Sequence, residues 1–141
     1  SIPAQGTIVA TVADKDKNEA LPMFKAFYEM GFQIVATEGT SQALEKIGIK
    51  VQKVKKIKEG SPNIVDLIRD GQVDFVVNTL THGRKPSSDG FLIRRAAVEL
   101  NVPCLTSLDT LQAVLDVIIE RETMEAAEIH SLQEYVSTID R

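Results

Sequence analysis

The sequence predicts an α/β fold, a three-layer sandwich with a five-stranded parallel sheet between helices and a C-terminal helical tail. Three observations lead there. Five short apolar runs rich in β-branched residues are each too brief for a helix. Segments between them place apolar residues at helical spacing. Strands and helices alternate every 20–25 residues or so, which suits parallel strands joined by helical crossovers that cover both faces.

The first run is Thr7-Ile-Val-Ala-Thr-Val12. The turn Asp14-Lys-Asp-Lys-Asn18 follows, with Asn18 as candidate N-cap of a helix over Glu19–Met30. Leu21, Phe24, Phe27 and Tyr28 form the apolar face of that helix, Pro22 falls in its first turn and Gly31 stops it. Phe32–Ala36 is the second strand, and Ser41–Ile47 a short helix stopped by Gly48. Ile49–Val54 alternates apolar and polar residues, as a half-exposed strand does. After Gly60-Ser-Pro a helix carries Ile64, Leu67 and Ile68 as far as Gly71, and Val73–Val77 is the most apolar strand. Ser88 or Asp89 caps a helix through Leu100, Val102–Leu105 is the last strand, and Ser107 or Asp109 caps a helix through Ile119. Residues 1–120 thus form one domain. In residues 121–141, Ile129, Leu132, Val136 and Ile139 make one apolar stripe on a further helix, which packs on its own domain or on a neighbour.

With 43% apolar and 26% charged residues, the 141-residue chain reads as folded and globular, not disordered. A net charge of −4 argues against a nucleic-acid footprint. No apolar run approaches the ~20 residues that span a bilayer, and Ser1-Ile-Pro-Ala-Gln5 lacks the features of a signal peptide. Its start without methionine fits a cut inside a linker of a longer chain. The one cysteine, Cys104, excludes an internal disulfide and fits a reducing cytoplasm. Among apolar neighbours it reads as a small buried hydrophobe.

In open α/β sheets ligands sit beyond the carboxyl ends of the strands. Four segments meet that description. Asp14–Asn18 offers Lys15 and Lys17; Lys55–Ser61 offers Lys55, Lys56 and Lys58; Asn78–Asp89 offers Asn78, Thr79, Thr81, His82, Arg84, Lys85, Ser87 and Ser88. The fourth, Thr37-Glu-Gly-Thr-Ser41, combines hydroxyls, a glycine that admits close approach and the N–H groups of a following helix. Phosphate needs donors and positive charge, and these loops supply many candidates for both: Thr37, Gly39, Thr40 and Ser41 in the glycine loop, with Lys15, Lys17, Lys55, Lys56 and Lys58 around it. By itself Lys53–Lys58 also reads as an edge strand protected by lysines. Neither GxGxxG nor GxxxxGK[ST] occurs. Catalytic signals are few: His82 and His130 are far apart in the sequence, no His/Cys/Asp cluster has metal-ligand spacing, and Asp89 suits a helix cap.

Together these loops resemble the methylglyoxal-synthase-like superfamily, and within it the C-terminal allosteric domain of the bacterial, pyrimidine-pathway carbamoyl-phosphate synthetase large subunit. The residues that carry the resemblance are Thr11–Lys17, Ala36–Thr40, Lys56–Gly60, Val77–Thr79, Asp89–Arg95 and Cys104–Thr110. It implies a five-stranded parallel sheet and a site for a nucleotide or phosphoribosyl effector, UMP as inhibitor with IMP or PRPP as activator in some members. Position by position, the phosphate meets Lys17, Thr37, Thr40 and Lys56, while Asn78 and Thr79 lie near ribose or base and Thr11 lines the site. Glu38 stands where some members have histidine. Methylglyoxal synthases, by the same resemblance, have an aspartate at Ser61 and histidines at Ala13 and Pro86, and Asp89 matches the acidic position that remains. The implied chain is a regulatory domain without cofactor or catalysis of its own. Its parent uses ATP with Mg or Mn and pairs with a glutaminase small subunit. A free-standing triose-phosphate lyase, the inosinate cyclohydrolase domain and a pure interaction module whose tail stripe mediates assembly are the competing readings.

Overall fold

The computed structural model describes residues 5–79 and 89–139. Five parallel strands, β1 (Thr7–Thr11), β2 (Gln33–Ala36), β3 (Val51–Lys53), β4 (Phe75–Asn78) and β5 (Cys104–Leu105), lie in the order β3-β2-β1-β4-β5. Between and after them run α1 (Lys17–Glu29), α2 (Glu38–Glu45), α3 (Ile64–Arg69), α4 (Asp89–Glu99) and α5 (Leu108–Ile139). The α/β class, the parallel sheet and its five strands agree with the sequence reading.

Both faces of the sheet are covered, and the strand alternation says why. In β1, Ile8 and Ala10 point to one side and Val9 to the other. Ile8, Ala10, Ile34, Phe75 and Val77 join Phe24 and Phe27 of α1, Leu44 of α2, and Leu111, Leu115 and Ile118 of α5. Val9, Val35 and Val76 join Ile64 and Ile68 of α3 and Ile93, Ala96 and Ala97 of α4. Phe27, Phe32 and Phe75 meet edge-on or tilted, with centroids 5.2–6.1 Å apart, the geometry aromatic quadrupoles favour.

Several boundaries move, each for a local reason. Asn18 does not cap α1: a single 3-10 turn over Asp14–Asp16 runs straight into a helix that starts at Lys17. Pro22 therefore sits in the second turn, where its missing N–H leaves the Asn18 carbonyl without its helical donor. The glycine loop expected at Thr37–Ser41 is helix from Glu38 onward, because Thr37 is extended (φ −73°, ψ 168°) and serves as N-cap, with the acidic Glu38 in the favourable first turn. Ser107 fulfils its predicted capping role: its Oγ accepts from the Thr110 N–H at 3.3 Å. The largest departure is α5. Thirty-two residues run as one helix through residue 120, so the further helix expected from Arg121 is the second half of α5.

The strand order places a switch point between β1 and β4, since the chain proceeds from β1 to β2 on one side and reaches β4 on the other. Loops leave such a point in opposite directions and open a crevice at the carboxyl end.

Candidate functional site

That crevice is occupied by a cavity of about 540 Å³, within the size range of small-molecule sites. Its floor is the end of the two central strands, where Thr11 of β1 and Asn78 of β4 are register partners. The backbone of Val12 and Ala13 continues the floor and is held on both sides by hydroxyls. The Val12 N–H donates to Thr40 Oγ1 at 3.2 Å, and the Ala13 N–H to Thr79 Oγ1 at 2.8 Å. Asn78 is fully buried and its amide donates to the Gly90 carbonyl at 3.4 Å, which ties β4 to the first turn of α4.

One wall is the N-terminus of α2. The first helical bond runs from the Ser41 N–H to the Thr37 carbonyl at 2.8 Å, so the N–H groups of Glu38, Gly39 and Thr40 have no acceptor inside the helix. Thr37 makes no side-chain cap bond to them. Gly39 faces Lys17: a Cβ built there would lie 3.4 Å from Lys17 Nζ. Three N–H groups at the positive end of a helix dipole, beside an ammonium, form an anion seat. Thr40 Oγ1 accepts from the backbone of Val12 and keeps its own proton to donate.

Seven of the nine residues read from the sequence as ligand contacts line this cavity: Thr11, Lys17, Thr37, Gly39, Thr40, Lys56 and Asn78. Ser41 and Thr79 do not. Ser41 is fully buried and donates to Glu45 Oε1 at 3.3 Å, one turn further along the same helix face. Thr79, expected near ribose or base, holds the Ala13 N–H instead and shapes the floor from behind. Lys15 pairs with Asp16, outside the cavity. Thr81, His82, Arg84, Lys85, Pro86, Ser87 and Ser88 lie outside the described residues.

Two carboxylates share the cavity with the cations. Asp89, the first residue of α4, lines it. So does Asp14, which sequence reasoning treated as part of a turn; its place directly after a central strand was the signal available. Asp14 accepts from Lys17 Nζ, and that bond and charge hold its carboxyl below the usual aspartate range. Ile57, Ile64 and Ile93 add an apolar wall that no motif announced.

Ser61 is not part of this lining. Its Oγ donates to Asp66 Oδ2 at 2.8 Å, and Asp66 also accepts from the Asn63 N–H at 2.9 Å. Asn63 Oδ1 returns bonds to Val65 and Asp66 at 3.0 and 3.2 Å, closing a reciprocal cap on α3. These donors hold the Asp66 carboxyl below its usual range. Cys104 is partly buried and its thiol is pushed up by burial, the Arg94 guanidinium opposing the shift. Among the described residues no three His, Cys, Asp or Glu side chains gather as a metal site, and no helix is long and apolar enough to cross a membrane.

An open parallel α/β domain with a cavity at its switch point, lined by cations, hydroxyls and a helix N-terminus, is the class that fold and site define. Within that class the chain belongs to the MGS-like domain family, whose model matches residues 19–106. Its fold is similar to that of a methylglyoxal synthase from Elizabethkingia anophelis NUHP1, at TM-score 0.66 and 21% identity over 81% of this chain and 79% of that one. It is also similar to that of ForH, at TM-score 0.57 and 20% identity over 82% of this chain and 80% of that one.

Proposed function

We propose that this chain is the allosteric domain of a carbamoyl-phosphate synthetase large subunit, binding a nucleotide or phosphoribosyl effector, UMP, IMP or PRPP. The observation that carries the reading is the anion seat. The α2 N–H groups, Thr37, Thr40, Lys17 and Lys56 converge on one cavity, while Ser61 is committed to the cap of α3. A seat for phosphate without a carboxylate at that position favours holding the ligand over abstracting a proton from it. Thr11 and Asn78 at the floor face the rest of the ligand. The effector shifts the parent between two conformations by its differential affinity, a coupling of about 1–3 kcal/mol. On this reading the chain works in the cytoplasm against the remainder of the large subunit and the glutaminase small subunit. ATP and its Mg or Mn belong to the parent, whose product feeds pyrimidine and arginine synthesis.

Calorimetry on the full chain with UMP, IMP and PRPP tests this. One of them binds, and Lys17→Ala weakens it by roughly tenfold to a hundredfold, the loss of one charged hydrogen bond. Absence of binding by all three at millimolar concentration overturns the reading.

A second reading, a methylglyoxal-synthase-type lyase, is favoured by Asp14 and Asp89 in the cavity and by the structural likeness. Incubation with dihydroxyacetone phosphate separates the two. Enzymatic release of methylglyoxal and phosphate establishes the lyase, whereas an inert substrate leaves the binding role.

A further inference from the structure

The second half of α5 carries an apolar stripe that its own domain does not cover. Leu111, Leu115 and Ile118 face the core, and the same 4-3 repeat continues through Glu122, Glu125, Ile129, Leu132, Val136 and Ile139. The last four are 58%, 61%, 46% and 59% exposed. Charge is just as uneven. Residues 120–141 contain six acidic and two basic side chains, the whole of the net −4, so residues 1–119 are formally neutral.

The complement lies on the same chain at the opposite edge of the sheet. Residues 50–58 hold Lys50, Lys53, Lys55, Lys56 and Lys58 and no acidic residue. They include and follow the edge strand β3, whose outer side pairs with no strand among the described residues. At the start of β3 a groove of about 620 Å³ opens between Tyr28, Phe32, Ile34 and Val51, rimmed by Lys50 and Gln52. A chain's own tail does not reach it: α5 packs on α1 and β5, and β5 is the far edge of the sheet.

We propose that two copies of this chain associate reciprocally, the acidic tail helix of each lying along the lysine-bearing β3 edge of the other. Ile129, Leu132, Val136 and Ile139 fill the groove, and Glu122, Glu125 and Glu128 face Lys55 and Lys58, since Lys53 is paired with Glu38 and Glu45 of its own chain and Lys56 lines the cavity. A helix over an open sheet edge also covers its unpaired backbone groups. Direct tail-to-tail pairing is disfavoured, because it brings −4 against −4 and sets Glu122 and Glu125 in the seam. The reciprocal arrangement buries both tails about a two-fold axis and closes the assembly.

Sedimentation of the full chain from low micromolar to millimolar concentration tests the proposal. The expected result is a dimer that weakens as salt screens its charges. Two double variants, Leu132→Asp with Val136→Asp and Lys50→Glu with Lys55→Glu, alter exposed side chains, and circular dichroism checks that both fold. Each raises the dimer dissociation constant at least about tenfold. An equal mixture of the two recovers association, since one retains the edge and the other the tail. A chain that stays monomeric throughout, a lysine variant that dimerises like the original, or a mixture that recovers nothing overturns the proposal.

Discussion

Around the cavity, side chains from α1, α2, α4 and the ends of β1 and β4 line one space, and the hydrogen bonds that shape its floor are buried or partly buried. The second half of α5 is the opposite construction, a single helix with side chains in solvent. The first region is inseparable from the core beneath it; the second is written on a surface the fold does not use. Changes near the cavity therefore disturb stability and binding together unless they fall on atoms that face the ligand alone. Changes in the tail leave the domain as stable as before.

The most forceful way to break this comparison is a matched pair of substitutions on α5. Leu111 is fully buried against the sheet, so Leu111→Ala removes packed methyls and leaves a cavity, a loss of about 2–5 kcal/mol. Leu132→Ala, on the same helical face, changes stability in dilute solution by no more than about 0.5 kcal/mol. Urea unfolding reads both. Equal losses at the two positions mean that the tail is packed on the domain after all.

A smaller effect, and a sharper one, belongs to Gly39. Inside the first turn of α2 its backbone is helical, and an added Cβ lies in ordinary contact with Lys17 Nζ. Gly39→Ala is expected to leave the unfolding midpoint unchanged or slightly raised, since alanine is the better helix former by up to about 1 kcal/mol. If a phosphate approaches those N–H groups as proposed, the methyl projects into its path, and effector affinity is expected to fall by about tenfold, the scale of one charged hydrogen bond. Thermal melts and calorimetry on the same sample separate the two effects. Unaltered affinity moves the anion away from α2.

Much of this was legible in the residues. Short apolar runs, of which only Ile49–Val54 alternates, located all five strands, because a buried parallel strand needs continuous apolar sequence and a stop. The convergence of Lys17, Thr37, Gly39, Thr40 and Lys56 was legible too, because parallel topology brings every loop after a strand to the same end. What stayed hidden depended on orientation. Ser41 reads as a hydroxyl in a glycine loop until Thr37 starts the helix early and turns it inward. Thr79 reads as a ligand contact, and the structure places it behind the lining, with its Oγ1 accepting from the Ala13 N–H. Asp14 reads as turn polarity, and only the 3-10 turn that follows β1 brings it to Lys17. The tail stripe was visible, but whether its own domain covered it depended on where α5 points.

The gentlest test concerns that Asp14. Its carboxylate accepts from the ammonium to which the proposed function gives the phosphate, so on that reading an incoming anion displaces it and then lies beside its negative charge. Asp14→Asn removes both the competition and the repulsion, and effector affinity is expected to rise a few-fold, an exposed ion pair being a weak competitor. The pH dependence carries the same sign. The Asp14 pKa is depressed in the folded chain, so the pair's contribution to stability is present above the ordinary aspartate pKa and is lost as pH falls through the depressed value. Through that acid range Lys17 is released, and the affinity advantage of Asp14→Asn, measured against a ligand whose own charge is constant, shrinks toward none. An Asp14→Asn chain that binds more weakly instead gives the carboxylate a direct contact with the ligand. Loss of triose-phosphate turnover in that variant makes it part of a lyase.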